Sequence, residues 1–221
     1  MSSTQTVVST SEQFPIGSDE RAVLVGKSDS GKTTLAKSLI IRWPHLLVID
    51  PKAEFDLPHA RRVSDPYELN RIKRGDERPT IFQPETRYWN AETYNGVFRW
   101  VYERKNCSLF VDEQFGVQDG LRAPEYERAI CTRGRSRKIR FLVGTQRPSR
   151  VPLEILTEAK WYFLFQLSEE EDLKRMAGMM SSNPAERRVI LETKLGEHHF
   201  WAYHHKSMNP AQICVLRLRG K

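Results

Sequence analysis

The chain has 221 residues, 39% hydrophobic and 29% charged, with 35 lysines and arginines against 28 acidic residues and a formal net charge of +7. That is enough for one α/β domain with a sizeable core and leaves no second core-sized block, while the modest positive charge permits contact with a polyanion without demonstrating it. The apolar runs are all shorter than a bilayer span, and the first residues are polar, without the basic start and apolar centre of a secretory leader, so the expectation is a soluble cytoplasmic protein.

Residues 1–20 read as a flexible lead-in to a single domain over residues 21–221, with Phe14, Pro15 and Ile16 laid against the sheet edge or a nucleotide base. A short apolar run at 22–25 then meets Gly26, Lys27, Ser28, Asp29, Ser30, Gly31, Lys32, Thr33 and Thr34, and leucines and isoleucines follow at helical spacing to residue 42. This is the glycine, lysine and hydroxyl spacing of a phosphate-binding loop in the strand-to-helix context it requires. Backbone N–H groups of 27–32 can curl around phosphates at the positive end of the helix. Lys32 reaches the β and γ oxygens, Thr33 offers its hydroxyl to Mg²⁺, and Thr34 sits nearest the α-phosphate, so ATP and Mg²⁺ are the expected cofactors. A glycine-rich turn with a chance lysine is the bland alternative, and the filling of every fixed position argues against it.

The apolar run 45–49 predicts a second buried strand, its exit set by Asp50, Pro51 and Lys52. Residues 53–79 are charged and broken and read as peripheral decoration, with a short helix opened by Asp65 and Pro66 and closed by Gly75 and Asp76. A short strand at 80–83 precedes an amphipathic helix at 90–105 with Tyr94, Val97, Phe98, Val101 and Tyr102 on one face. The strand at 108–111 ends in Asp112 and Glu113. At the carboxyl end of a doubly wound strand, Asp112 can hold the Mg²⁺ shell while Glu113 polarises water. A solvated strand end is the competing reading, weakened by the phosphate loop upstream.

A helix at 124–132 runs into Arg133, Arg135, Arg137, Lys138 and Arg140, any one of which alone reads as a solvated helix end. The strand at 141–143 stops at Gly144, Thr145, Gln146, Arg147 and Pro148, which puts the Gln146 amide beside the γ-phosphate if the strands are neighbours. A short helix at 151–156, a strand at 161–166 and a helix capped by Ser168 follow, the last with Met176, Met179 and Met180 as core filler. Runs at 200–203 and 214–218 predict a terminal hairpin ending in Arg217, Arg219 and Lys221. His198, His199, His204 and His205 invite a metal reading, but neighbours on a strand point to opposite faces. Cys107, Cys131 and Cys214 lack metal or disulfide spacing and read as reduced thiols. The fold class expected is α/β, a P-loop NTPase with a mainly parallel sheet flanked by helices and a small C-terminal β hairpin.

The order of these motifs, from the phosphate loop through Val48-Ile49-Asp50-Pro51-Lys52 and Phe110-Val111-Asp112-Glu113 to Gly144-Thr145-Gln146-Arg147-Pro148, resembles the HerA/FtsK superfamily of DNA-pumping ATPases over about residues 21–180. Within it, the chain looks most like the genome-packaging ATPases of poxviruses and of icosahedral viruses with an internal membrane. The resemblance implies a RecA/FtsK-like core and ATP hydrolysis coupled to translocation of double-stranded DNA into a preformed capsid. It also implies a homo-oligomeric ring of roughly five or six subunits, contact with capsid vertex proteins, and a place at the virion packaging vertex and in host cytoplasm. In the family an arginine of one subunit reaches the neighbour's γ-phosphate, and Arg133, Arg135 and Arg137 are the positions in register. The expected catalytic set is Lys32, Glu113 and Gln146 with one of these arginines.

Asp29 departs from the pattern, where a small or neutral residue is usual, so affinity is lower or its side chain turns outward. Partition ATPases of the ParA and MinD type share the placement of Lys27 but have Gly-Gly next and lack the Asp112-Glu113 pair. A filamentous-phage assembly ATPase of the zonula-occludens-toxin type and a cellular HerA-like translocase remain alternatives. So does a non-enzymatic nucleotide-binding vertex protein, against which Glu113 argues.

Overall fold

A computed structural model of the chain describes residues 6–8 and 13–216. After β1 (Thr6–Val8), β2 (Arg21–Val25) is buried along its whole length and feeds α1 (Lys32–Ile40). Then come β3 (Leu46–Ile49), β4 (Arg61–Val63), β5 (Thr80–Phe82) and α2 (Ala91–Arg104), the last capped by Asn90, whose side chain accepts from the Thr93 N–H. β6 (Ser108–Val111), α3 (Glu125–Arg133), β7 (Arg140–Thr145), α4 (Leu153–Thr157) and β8 (Trp161–Phe165) continue the alternation. The chain closes through α5 (Glu170–Met180), α6 (Pro184–Glu192), β9 (His199–His204) and β10 (Met208–Leu216).

Among the described residues the strands form one sheet in the order β1-β10-β9-β8-β2-β7-β6-β3-β5-β4. It is parallel from β8 to β4, and β9 runs antiparallel to both β8 and β10. Parallel strands covered on both faces need apolar side chains on both, which is why the strand sequences are continuous apolar runs. One face buries Val23, Leu47 and Val143 with Val97 and Phe98 of α2, Ile130 of α3 and Met176 and Met180 of α5. The other buries Leu24, Val48 and Phe110 against Leu35 and Leu39 of α1.

The fold class is the expected one, and the departures are local. Residues 13–20 are not a detached lead-in. Phe14 is 1% exposed, with ring centroids 5.1 Å from Phe163, 5.8 Å from Trp161 and 6.0 Å from Phe200, all edge-to-face. The Glu20 carboxylate accepts from the Gly17 N–H at 2.9 Å and from Trp161 Nε1 at 3.1 Å, fixing the segment to β8. The apolar pair Phe14 and Ile16 covers β8 and β9 on the face that α1 covers farther along the sheet. Residues 1–5 and 9–12 of that expectation, and Arg217, Arg219 and Lys221, lie outside the described residues.

The stretch read as decoration supplies β4 at the sheet edge, paired to the expected strand β5, and buries Phe55, Leu57, Val63 and Leu69. Its short helix is a 3₁₀ turn over Pro66–Arg71, capped by Asp65. Ser168 does not cap α5. Glu169 is the capping residue and makes no side-chain bond, while Glu170, Glu171 and Asp172 put negative charge at the positive end of the dipole. The sequence reading had no helix at α6, although Asn183 accepts from the Ala185 N–H and Pro184 opens the first turn. Cys107, Cys131 and Cys214 are free and buried.

Truncating the Phe14 ring removes an aromatic contact from a closed site. Phe14→Ala should lower the unfolding free energy by about 3–5 kcal/mol, read by urea denaturation. A change below about 1 kcal/mol would return residues 13–20 to the status of a lead-in.

Candidate functional site

Four neighbouring parallel strands stop at one edge. The register pairs Val25 with Thr145, Val143 with Val111 and Val111 with Ile49, so the residues just past each strand end come together. Gly26 continues the ladder, its N–H donating to the Thr145 carbonyl at 3.2 Å. Beyond it lies a cavity of about 310 Å³. Lys27, Ser28, Asp29, Gly31, Lys32, Thr33 and Thr34 line it from the loop, and Lys52, Asp112 and Gln146 from the strand ends. Ser30 is buried beneath the loop and Gly26 lies at its base.

The loop conformation follows from its residues. Gly31 has φ +97°, a left-handed conformation that starts α1 and that glycine adopts without a Cβ penalty. Asp29 has φ 59°, a region in which aspartate is tolerated better than most residues. Its side chain is exposed at the cavity mouth, which gives a backbone reason for the unusual residue. The Ser28 hydroxyl donates to Gln146 Oε1 at 3.4 Å, so the glutamine meets the loop as expected once β2 and β7 pair.

Asp112 is buried, and its Oδ1 has no hydrogen-bond partner. Burial pushes its carboxyl up to about 6, Lys32 opposes this, and Asp50 and Glu113 reinforce it. A buried carboxylate with an orphan oxygen, sharing a cavity with the Thr33 side chain, fits Mg²⁺, which takes only one or two carboxylates and keeps several waters. Next to it, Glu113 Oε1 accepts from Thr145 Oγ1 at 3.2 Å and Oε2 faces Lys52 Nζ at 3.4 Å.

Behind Glu113 the network continues inward. Gln114 Nε2 donates to Glu127 Oε2 at 3.0 Å, and Glu127 is wholly buried on α3. Burial pushes the Glu127 carboxyl up to about 8, so at neutral pH it is mostly protonated. The loop carrying Gln146 is fixed from the other side by Asp172, whose oxygens accept from Arg147 Nε and from the Ser149 N–H, both at 2.8 Å.

The structure does not bring Arg133, Arg135 and Arg137 to this cavity. They follow α3 at the amino end of β7, while the phosphate loop is at the carboxyl end of the sheet, about 20 Å away along a six-residue strand. Arg135 pairs with Asp19 at 3.2 Å. Arg137 donates to the Tyr102 carbonyl at 3.2 Å and lies 3.9 Å from the centre of its ring. Arg133 is exposed and makes no side-chain hydrogen bond or ion pair among the described residues.

Three residues at the site were not assigned a role from sequence. Lys52 and Thr145 stood inside quoted motifs, at strand ends whose adjacency was not yet known. In the sequence His198 is only one of four histidines that invite a metal reading. It lines the cavity because β9 runs back antiparallel to β8 and so begins at the edge where β8 ends, beside Gly31. Among the described residues, no group of three or more His, Cys, Asp or Glu is placed to hold a metal ion, and no helix is long and apolar enough to cross a membrane.

No protein-family model matches this sequence, and no curated protein matches it. Its fold is similar to solved structures. The genome packaging NTPase of Sulfolobus turreted icosahedral virus 2, in complex with AMPPCP, superposes with a TM-score of 0.73 at 15% identity, covering 91% of this chain and 100% of that one. VirB4 of Thermoanaerobacter pseudethanolicus gives 0.63 at 12% identity, over 90% and 89%. The pCW3 conjugation coupling protein TcpA gives 0.57 at 11% identity, over 88% and 59%. At these identities the likeness is one of fold: a mostly parallel sheet flanked by helices, as in P-loop NTPases.

The raised Glu127 carboxyl sets a sign for stability against pH. Its contribution is fully present below the ordinary carboxylate value of 4.5 and is lost as pH rises through about 8. Stability should therefore fall across that window, and Glu127→Gln should flatten the slope. Unfolding free energies measured from about pH 5 to 9 test this, and parallel curves for the two proteins would refute a neutral buried acid.

Proposed function

We propose that this chain is an ATP-hydrolysing motor subunit of the HerA/FtsK type that moves double-stranded DNA and packages a viral genome into a preformed capsid. The observation that carries the reading is the convergence of Lys32, Thr33, Asp112 and Gln146 on one cavity, with Glu113 beside it. A triphosphate in that cavity meets the N–H groups of the loop and the Lys32 ammonium, which neutralise the β and γ oxygens. Mg²⁺, held by Thr33 and Asp112, would add charge neutralisation on the same oxygens. Glu113 accepts a proton from the water that attacks the γ-phosphorus in line, and ADP leaves with the β–γ bridging oxygen. Gln146, tied to Ser28, lies where release of phosphate alters its partners.

Packaging is favoured by fold likeness spanning the whole of a genome packaging NTPase. The net charge of +7 suits a DNA partner, and capsid vertex proteins and the virion vertex belong to the same proposal. A DNA-transfer motor outside a virion is the second reading, favoured by the likeness to a conjugation coupling protein. The composition of purified particles separates the two.

Glu113→Gln should bind ATP with near-normal affinity and lose about a hundredfold or more in turnover, because the amide keeps the shape but cannot take the proton. Phosphate release assays check this, and wild-type turnover in the variant would remove Glu113 from the base role. An assay in which the wild-type chain neither binds nor hydrolyses ATP would overturn the motor reading itself.

The ring is part of the same proposal. A lone subunit leaves the outer side of the γ-phosphate open, and a neighbour's guanidinium can cover it. Of Arg133, Arg135 and Arg137, Arg133 is the one whose side chain makes no hydrogen bond or ion pair among the described residues, so Arg133→Ala should lower kcat about a thousandfold, with Arg135→Ala and Arg137→Ala much milder. Mixing Arg133→Ala with Glu113→Gln subunits should recover activity, since some interfaces then combine a working arginine with a working base. No recovery, together with specific activity that stays flat on dilution, would make the basic run a solvated or DNA-facing surface.

A further inference from the structure

Lys52 contacts the candidate base, and the reaction as described above gives it no task. Its backbone is fixed. Asp50, fully buried, uses Oδ2 to accept from the Phe55 N–H at 2.8 Å and from Gln83 Nε2 at 2.9 Å, and the Ala53 N–H closes the turn onto the Asp50 carbonyl at 3.3 Å. That turn delivers Lys52 to the cavity from β3, on the far side of Asp112 from the phosphate loop. The side chain itself is 39% exposed, and its ammonium lies 3.4 Å from Glu113 Oε2. Thr145, wholly buried, holds the other oxygen of Glu113 at 3.2 Å. The two contacts on one carboxylate therefore differ in kind: a hydrogen bond from a wholly buried hydroxyl and an ion pair to a half-exposed ammonium.

Such a half-exposed pair is weak. A γ-phosphate carries about two negative charges and presents three oxygens, and it would enter the cavity that Lys52 lines. A flexible ammonium acts as a point charge for phosphate. Resting on the ATPase reading above, we propose that Lys52 is a triphosphate-sensing gate on Glu113. It pairs with Oε2 until the γ-phosphate arrives, then moves onto a γ oxygen and leaves Oε2 free to accept the proton of the attacking water. Thr145 is a positioning residue that keeps Oε1 fixed throughout, so releasing the lysine frees the carboxylate without letting it turn. The base is thereby unblocked only when a triphosphate, and not a diphosphate, fills the cavity.

The test uses the full chain with Mg²⁺ and compares ADP with a non-hydrolysable ATP analogue by calorimetry, alongside steady-state kinetics. Lys52→Met should weaken the analogue about tenfold, the value of one charge-assisted hydrogen bond, and leave ADP binding unchanged, which also shows that the variant is folded. Lys52→Arg should recover part of the loss. Thr145→Val should keep both affinities and KM while lowering kcat about tenfold, as expected for a group that orients the base. A Lys52→Met protein that loses ADP and analogue equally, or loses neither, would make Lys52 a fixed partner of Glu113 and overturn the proposal. A wild-type chain that hydrolyses ATP alongside that result leaves the motor reading standing and sinks the gate alone.

Discussion

A methyl group on Gly144 would come within 2.6 Å of the Asp112 carbonyl oxygen, a contact with backbone that no side-chain movement can relieve. That close approach lets β7 lie against β6 right up to the strand ends, and it brings Thr145 within reach of Glu113 and Gln146 within reach of Ser28. The hydrogen bonds that place the candidate base and the candidate sensor both depend on it. Larger residues at this position would pry apart the two strands that carry the carboxylates and the glutamine.

The site concentrates charge where the sheet gives little access to water. Lys32, Asp50, Asp112 and Glu113 are all buried at one edge, with Glu127 behind them. The structure handles each differently. Asp50 is satisfied on one oxygen by a backbone N–H and an amide and serves the turn. Glu127 is held neutral by burial. Asp112 Oδ1 has no partner, as is true of one oxygen each of Asp50 and Glu127, but of the three only Asp112 lines the cavity, where a cation can reach it. Glu113 is held by Thr145 and Lys52. Carboxylates of the same chemistry thus acquire different tasks through their neighbours.

The two ends of the sheet are chemically distinct. The carboxyl end holds the phosphate loop, and the amino end holds the basic run, with Arg135 and Arg137 tied down by Asp19 and Tyr102. A single subunit therefore has its cavity and its spare arginine about 20 Å apart along the strands. A head-to-tail ring is the symmetric arrangement that brings unlike surfaces of identical subunits together, which is why the proposed assembly and the proposed chemistry stand on the same geometry.

The local chemistry was legible in the sequence. The loop from Gly26 to Thr34 and the Asp112-Glu113 strand end are short-range patterns, in which spacing along the chain fixes the backbone, whereas Gln146 meets the loop only because β2 and β7 pair. The buried strands were legible for the same reason, since a doubly covered parallel strand must be apolar along its length. What depended on distant segments was not. Phe14 and Ile16 suggest contact with the sheet edge or a nucleotide base, and only the packed sheet shows that they cover the face of β8 and β9. Glu127 looks like a surface residue on a charged helix until α3 packs against the core. Lys52, Thr145 and His198 become site residues only through strand order, which brings β3, β7 and the start of β9 to the edge where β2 ends. Strand order is decided by long-range packing, and no local window of sequence records it.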